Sequence, residues 1–107
     1  MPIIRIDYDN NQAQASDIET LSRAIQKIVS TRTEIKEVFV YVNTHELILD
    51  ADPIEVFVEM SAHIMDKHTN LMADVKADLK KWKEENNFTT PINLTLIPMK
   101  WELEIGI

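Results

Sequence analysis

The chain has no cysteine and a single glycine, Gly106, among its 107 residues. Without cysteine there are no disulfides and no thiolate metal sites. Loops that cradle phosphates need glycine where backbone closely approaches the ligand, so nucleotide-binding loops of the Walker and dinucleotide kinds are excluded. Positive charge is also scarce: 11 basic residues face 18 acidic ones, a net of −7. Nonspecific nucleic-acid binding requires the opposite sign, and an anionic substrate would have to be drawn in by a local cation. No apolar run approaches the ~18 residues of a membrane span. The first apolar run is interrupted by Arg5 and Asp7, so no signal peptide and a cytoplasmic location are expected.

What remains is an ordinary globular composition, 45% hydrophobic, in which helical and strand patterns alternate. The length argues for one domain over residues 1–107, able to bury roughly two thirds of its unfolded surface. The opening PIIRIDY, residues 2–8, alternates as a strand with Pro2, Ile4 and Ile6 on one face and Ile3, Arg5 and Asp7 on the other. SDIE at 16–19 has the form of a capping box ahead of a helix over about 17–30, with Ile18, Leu21, Ile25 and Val29 at helical spacing. VFVYVN at 38–43 is nearly continuously apolar and reads as a strand covered on both faces. HELIL at 45–49 continues extended, as a short arm or a hairpin limb. VFVEMSAHI at 56–64 reads as a third strand and residues 69–86 as a second helix. INLTLIP at 92–98 alternates cleanly. Trp101, Leu103, Ile105 and Ile107 alternate with Lys100, Glu102 and Glu104 as a final strand.

The order is therefore β-α-β-(β) twice, with pseudo-repeat halves at about 1–52 and 53–107. The second half follows the first by 53–56 residues without detectable identity. The fold class is α+β: two tandem β-α-β units with right-handed crossovers, forming a four-stranded sheet with both helices on one face. The other face would be left bare. With Val40, Val58 and Met60 expected on it, a monomer would expose too much apolar surface, so a homo-oligomer is expected.

The Met1-Pro2 opening, the tandem units, the FVEM of the third strand and the TLIPM of the fourth together resemble the tautomerase superfamily, the group of macrophage migration inhibitory factor and the 4-oxalocrotonate tautomerases. The resemblance spans nearly the whole chain and is nearest to a small uncharacterised bacterial branch. It implies a trimer in which the sheets face one another, with no cofactor; from charge, apolar runs and ligand-type residues, no nucleic acid, no membrane and no metal are expected. It also implies a keto–enol isomerase whose base is the amine of Pro2, freed when Met1 is removed. A free α-amino group titrates near ~8, and apolar surroundings lower that by disfavouring the charged form. Such a group can take a proton from beside a carbonyl and return it elsewhere. Two arginines of the family pattern are missing: Gln12 and Phe39 stand at those places. The lysine that precedes the second strand in one branch falls near Arg32 or Lys36. Polar residues that branch takes from a neighbouring subunit correspond to Asn93 and Thr95.

Three readings stay open at this point. Pro2 is a catalytic base; or it only begins a strand, in a tautomerase-fold oligomer or ligand-binding scaffold without activity; or the same element string forms a ferredoxin-like dimeric small-ligand module. His63 and His68, five residues apart across a strand-to-helix break, lack ligand geometry and read as surface or capping residues. Arg5 reads as a salt-bridge partner facing away from Pro2. Trp82 reads as core, and Trp101 as a subunit-interface anchor.

Overall fold

A computed structural model describes residues 1–107. The chain forms β1 (Ile3–Tyr8), α1 (Ala15–Thr33), β2 (Phe39–Asn43), β3 (Ile54–Ser61), α2 (Ala62–Lys67), α3 (Leu71–Glu85) and β4 (Asn93–Met99). The four strands make one sheet in the order β2-β1-β3-β4. β1 runs parallel to β2, and β3 parallel to β4, as each helical crossover requires. The two halves meet at the centre, where β1 and β3 are antiparallel and Ile4 lies opposite Val58. Both long helices pack on one face. This is the fold class expected from the sequence. The ferredoxin-like alternative is overturned: its middle strands would form a hairpin, whereas β1 separates β2 from β3.

The core follows from two periodicities. Ile4, Ile6 and Tyr8 of β1, and Ile54, Val56, Val58 and Met60 of β3, point to the helical side and are buried. Ile18, Leu21, Ile25 and Val29 of α1, and Leu71, Val75 and Leu79 of α3, close over them. Each such side chain contributes roughly 1.5–3 kcal/mol of burial. Val58 and Met60 were expected on the bare face and are instead completely buried. The bare face carries the other register: Ile3, Arg5, Tyr41, Phe57, Thr95 and Ile97. Arg5 anchors it, as expected. Its Nη1 donates to Glu59 Oε1 at 2.9 Å, and its guanidinium carbon lies 4.8 Å from the Phe57 ring centre.

Several local readings need correction. α1 begins at Ala15 after Gln14, and no side chain caps it. Ser16 and Glu19 lie inside the helix, where Glu19 pairs with Arg23 at 3.1 Å, so the capping box does not form. The helix ends at Glu34, which adopts the left-handed conformation at φ 61°. Ser30 Oγ then donates to Ile35 O, and Gln26 Nε2 donates to Val38 O, tying the helix end to the start of β2. β2 is an edge strand with Phe39, Tyr41 and Val42 exposed, not a strand covered on both faces. HELIL and residues 100–107 have no regular structure. The third strand stops at Ser61, whose Oγ accepts from the Ile64 amide and starts α2. No helix is long and apolar enough to cross a membrane.

Candidate active site at the Pro2 end of the sheet

Pro2 sits where a central strand begins. Its ring is buried on the same side as Ile4 and Ile6, as alternation predicts, and its carbonyl accepts the Phe39 amide at 3.1 Å. Ile3 lies opposite Phe39 on one side and Glu59 on the other. Pro2 is therefore flanked by Val38 and Met60, both buried, and Met60 is followed across the sheet by Pro98. The surroundings are apolar, which favours a neutral amine over an ammonium ion. While Met1 is attached, the Pro2 nitrogen is an amide with no proton and no useful basicity.

Lys36 belongs to the connector that enters β2 at this same end. It is exposed and takes no part in any ion pair of the chain. The topology brings two further groups to this end: His63, exposed in the first turn of α2, and Lys100, directly after β4. Neither was singled out from the sequence as a site residue. The signal that reaches them is register, since Ser61 lies opposite Met99 and both strands stop beside the Pro2 edge.

Arg32 is engaged elsewhere. Its Nε and Nη2 donate to Asp78 Oδ2 and Oδ1 at 2.6 and 2.8 Å, joining α1 to α3 in a two-pronged pair. The hydrogen bond from Arg32 holds the Asp78 carboxyl below its ordinary range, and Asp78 in turn raises Arg32 above its own. Asn93 stands at the other end of the sheet. It lies opposite Glu55, which lies opposite Asp7, about 17 Å along the strands from Pro2. Its amide donates to Asp52 Oδ2 at 2.7 Å and Glu55 Oε1 at 2.8 Å. Thr95 lies mid-strand on the bare face, exposed and opposite Phe57. One chain thus gathers Pro2 and the Lys36 connector, and leaves Arg32, Asn93 and Thr95 apart from them. Gln12 and Phe39 also have other work: Gln12 Nε2 donates to Asp9 Oδ2 at 2.8 Å, and Phe39 opens β2 half-exposed on the bare face.

No family model matches the sequence, and neither does any curated protein. Solved structures do match. A macrophage migration inhibitory factor-like protein from Entamoeba histolytica has a TM-score of 0.58 over 96% of this chain and 93% of its own, at 13% identity. A 5-carboxymethyl-2-hydroxymuconate delta-isomerase has a TM-score of 0.57 over 99% of this chain and 89% of its own, also at 13% identity. The chain has the tautomerase-superfamily fold. A domain of unknown function from Sebaldella termitidis shares it with a TM-score of 0.59, 13% identity, and coverage of 100% of this chain and 98% of that one. Within the tautomerase fold so identified, Pro2 is the residue that precedes a central strand and begins the first of two β-α-β units. At these identities the likeness shows the fold alone.

Proposed function

We propose that this chain is a cofactor-independent isomerase of the tautomerase type, moving a proton between the keto and enol forms of a small carbonyl compound. The observation that carries this is the position of Pro2: buried in apolar surroundings at the start of a central strand, in the tautomerase fold. Removal of Met1 would turn its nitrogen into a secondary amine, which takes the proton next to the carbonyl and returns it at the second carbon. The proline ring restricts the direction of the lone pair. Lys36 is the cation best placed to bind a substrate carboxylate or polarise the carbonyl. Arg32 serves this role only if it gives up Asp78. Asn93 and Thr95 act, in this reading, from a neighbouring copy, since they lie away from Pro2 in their own chain. The working unit is then a homotrimer whose bare sheet faces turn inward, and the structures it resembles include an isomerase.

The test is turnover of a simple enol such as phenylenolpyruvate, with intact mass confirming that Met1 is gone. Pro2→Ala should lower kcat/KM at least a hundredfold with the circular dichroism spectrum unchanged. Equal turnover in both proteins would remove Pro2 from the mechanism. A second reading, an inactive oligomeric scaffold, is favoured by Gln12 and Phe39 at the places of the family's arginines. It predicts no turnover of any enol by Met1-free protein.

A further inference from the structure

A cavity of about 240 Å³ lies at the end of the sheet remote from Pro2, and the proposed chemistry makes no use of it. It is bounded by the end of β1, by residues 45–52 and by the start of β3. One part of its wall is apolar, formed by Tyr8, Leu47, Ile48 and Leu49. The other part carries Asp7, Asp9, Asp52 and Glu55. No lysine or arginine lines it, and His45 is its one basic side chain.

The sheet sets two of these carboxylates against each other. Asp7 lies directly opposite Glu55 in the antiparallel β1–β3 pair, and like charges so placed cost stability. Glu55 and Asp52 share the side-chain amide of Asn93. Asp9 accepts from the Asn11 amide and from Gln12 Nε2. These donors satisfy oxygens but bring no positive charge.

Asp7 is the least satisfied of the four. Its Oδ2 lies 3.5 Å from Arg5 Nε, and Arg5 is shared with Glu59. Its Oδ1 is sealed from water and accepts no hydrogen bond, the one side-chain polar atom of the chain so placed. His45 Nε2 stands 3.3 Å from that oxygen without bonding to it. A buried carboxylate oxygen without a donor carries a desolvation cost that a ligand's N–H group would offset.

Both parts of the wall restrict what could bind. Anions meet four carboxylates. A metal ion needs several ligands converging on one point, and no three His, Asp or Glu side chains do so. An ammonium group on an apolar body matches the charged and the apolar wall together, and the volume limits that body to a small molecule. We propose that this cavity binds a small primary amine as its ammonium ion. Its N–H donors are directed to Asp7 Oδ1 and Glu55, and its apolar body lies against Tyr8, Leu47 and Ile48. His45, half-exposed, is the side chain that the ammonium group displaces to reach Oδ1. The site is separate from Pro2 and does not rest on the isomerase reading.

The test titrates 2-phenylethylammonium and hexylammonium into the isotopically labelled full chain at pH 7, followed by amide NMR shifts. Saturable shifts should appear in residues 7–9 and 45–55, with a dissociation constant of about 1 mM or below. Neutral 2-phenylethanol and anionic 3-phenylpropionate, of similar shape, should bind at least about tenfold more weakly, for want of charge-assisted hydrogen bonds. Asp7→Asn should weaken amine binding about tenfold for the same reason. Glu55→Gln serves as the second variant if Asp7→Asn fails to fold. The proposal is overturned by no saturable shift with either amine, by equal binding of the alcohol, or by shifts confined to other residues. Undiminished amine binding by both variants also overturns it. Phenylenolpyruvate turnover plays no part in the measurement, so the outcome for Pro2 as base is separate.

Discussion

Ile6 and Ile3 lie on the same strand, and the difference between them is the difference between the two faces of the sheet. Ile6 is completely buried beneath the helices. Ile6→Ala should cost about 2–5 kcal/mol, through lost burial and the cavity left behind. Equilibrium urea unfolding checks this as a fall in midpoint at constant slope, and Ile3→Ala measured in the single chain should shift the midpoint far less. Alternation made this contrast legible in the sequence, because β1 keeps its period from Pro2 to Tyr8. Arg32 was not legible in the same way. Its partner Asp78 is 46 residues distant and is brought to it only when α1 packs on α3. The Asp78 carboxyl is held low by the hydrogen bond from Arg32, so its contribution is fully present above the ordinary carboxylate range. It is lost as pH falls through the lowered folded-state value. Asp78→Asn should therefore leave a smaller difference between stability at neutral pH and stability in acid. Urea midpoints measured from pH 7 down to pH 3 check this. Because both side chains are partly exposed to solvent, which screens the pair, the effect at neutral pH should be well below that of Ile6→Ala.

At the scale of elements, the long periodic segments were the readable ones. α1, α3, β1 and β4 have one apolar stripe or one apolar face, and packing against the rest of the chain does not reverse that preference. α2 was hidden for a physical reason. Ala62 and Ile64 continue the alternation of β3, so the sequence offers no change of period at Ser61. What stops the strand is a local hydrogen bond, the Ile64 amide donating to Ser61 Oγ at 3.3 Å. Ser61→Ala should destabilise the chain by about 1 kcal/mol, the usual value of such a cap. Hydrogen exchange should show the faster opening concentrated in residues 62–67. Uniform acceleration across the chain would mean that Ser61 acts through global stability and not as a cap. β2 was misread for the opposite reason. A continuous apolar run normally means burial on both faces, but here it is an edge strand in a single chain. Such a run on an exposed edge is what the proposed oligomer would cover, and one chain's pattern does not distinguish burial within the chain from burial between chains.

At the scale of the whole molecule, the proposed site and the bare sheet face are one problem. Asn93 and Thr95 lie away from Pro2 within a chain, so a site that uses all three requires neighbours. Phe57 is the residue to probe. It stands mid-strand on the bare face, under the Arg5 guanidinium, and contributes nothing to the core between sheet and helices. Phe57→Asp would place an extra carboxylate beside Glu59, already bonded to Arg5, in a surface that the proposed assembly would take out of water. Burying an uncompensated charge costs several kcal/mol. A weakening of about 3 kcal/mol raises the dissociation constant roughly a hundredfold. Native mass spectrometry at micromolar concentration should then find single chains, with helical and strand signals in circular dichroism preserved. If turnover is present in the parent protein, it should fall together with assembly, and recover as protein concentration is raised above the new dissociation constant. A Phe57→Asp protein that remains a trimer would show that the bare face is not the interface, and Asn93 and Thr95 would then have no route to Pro2.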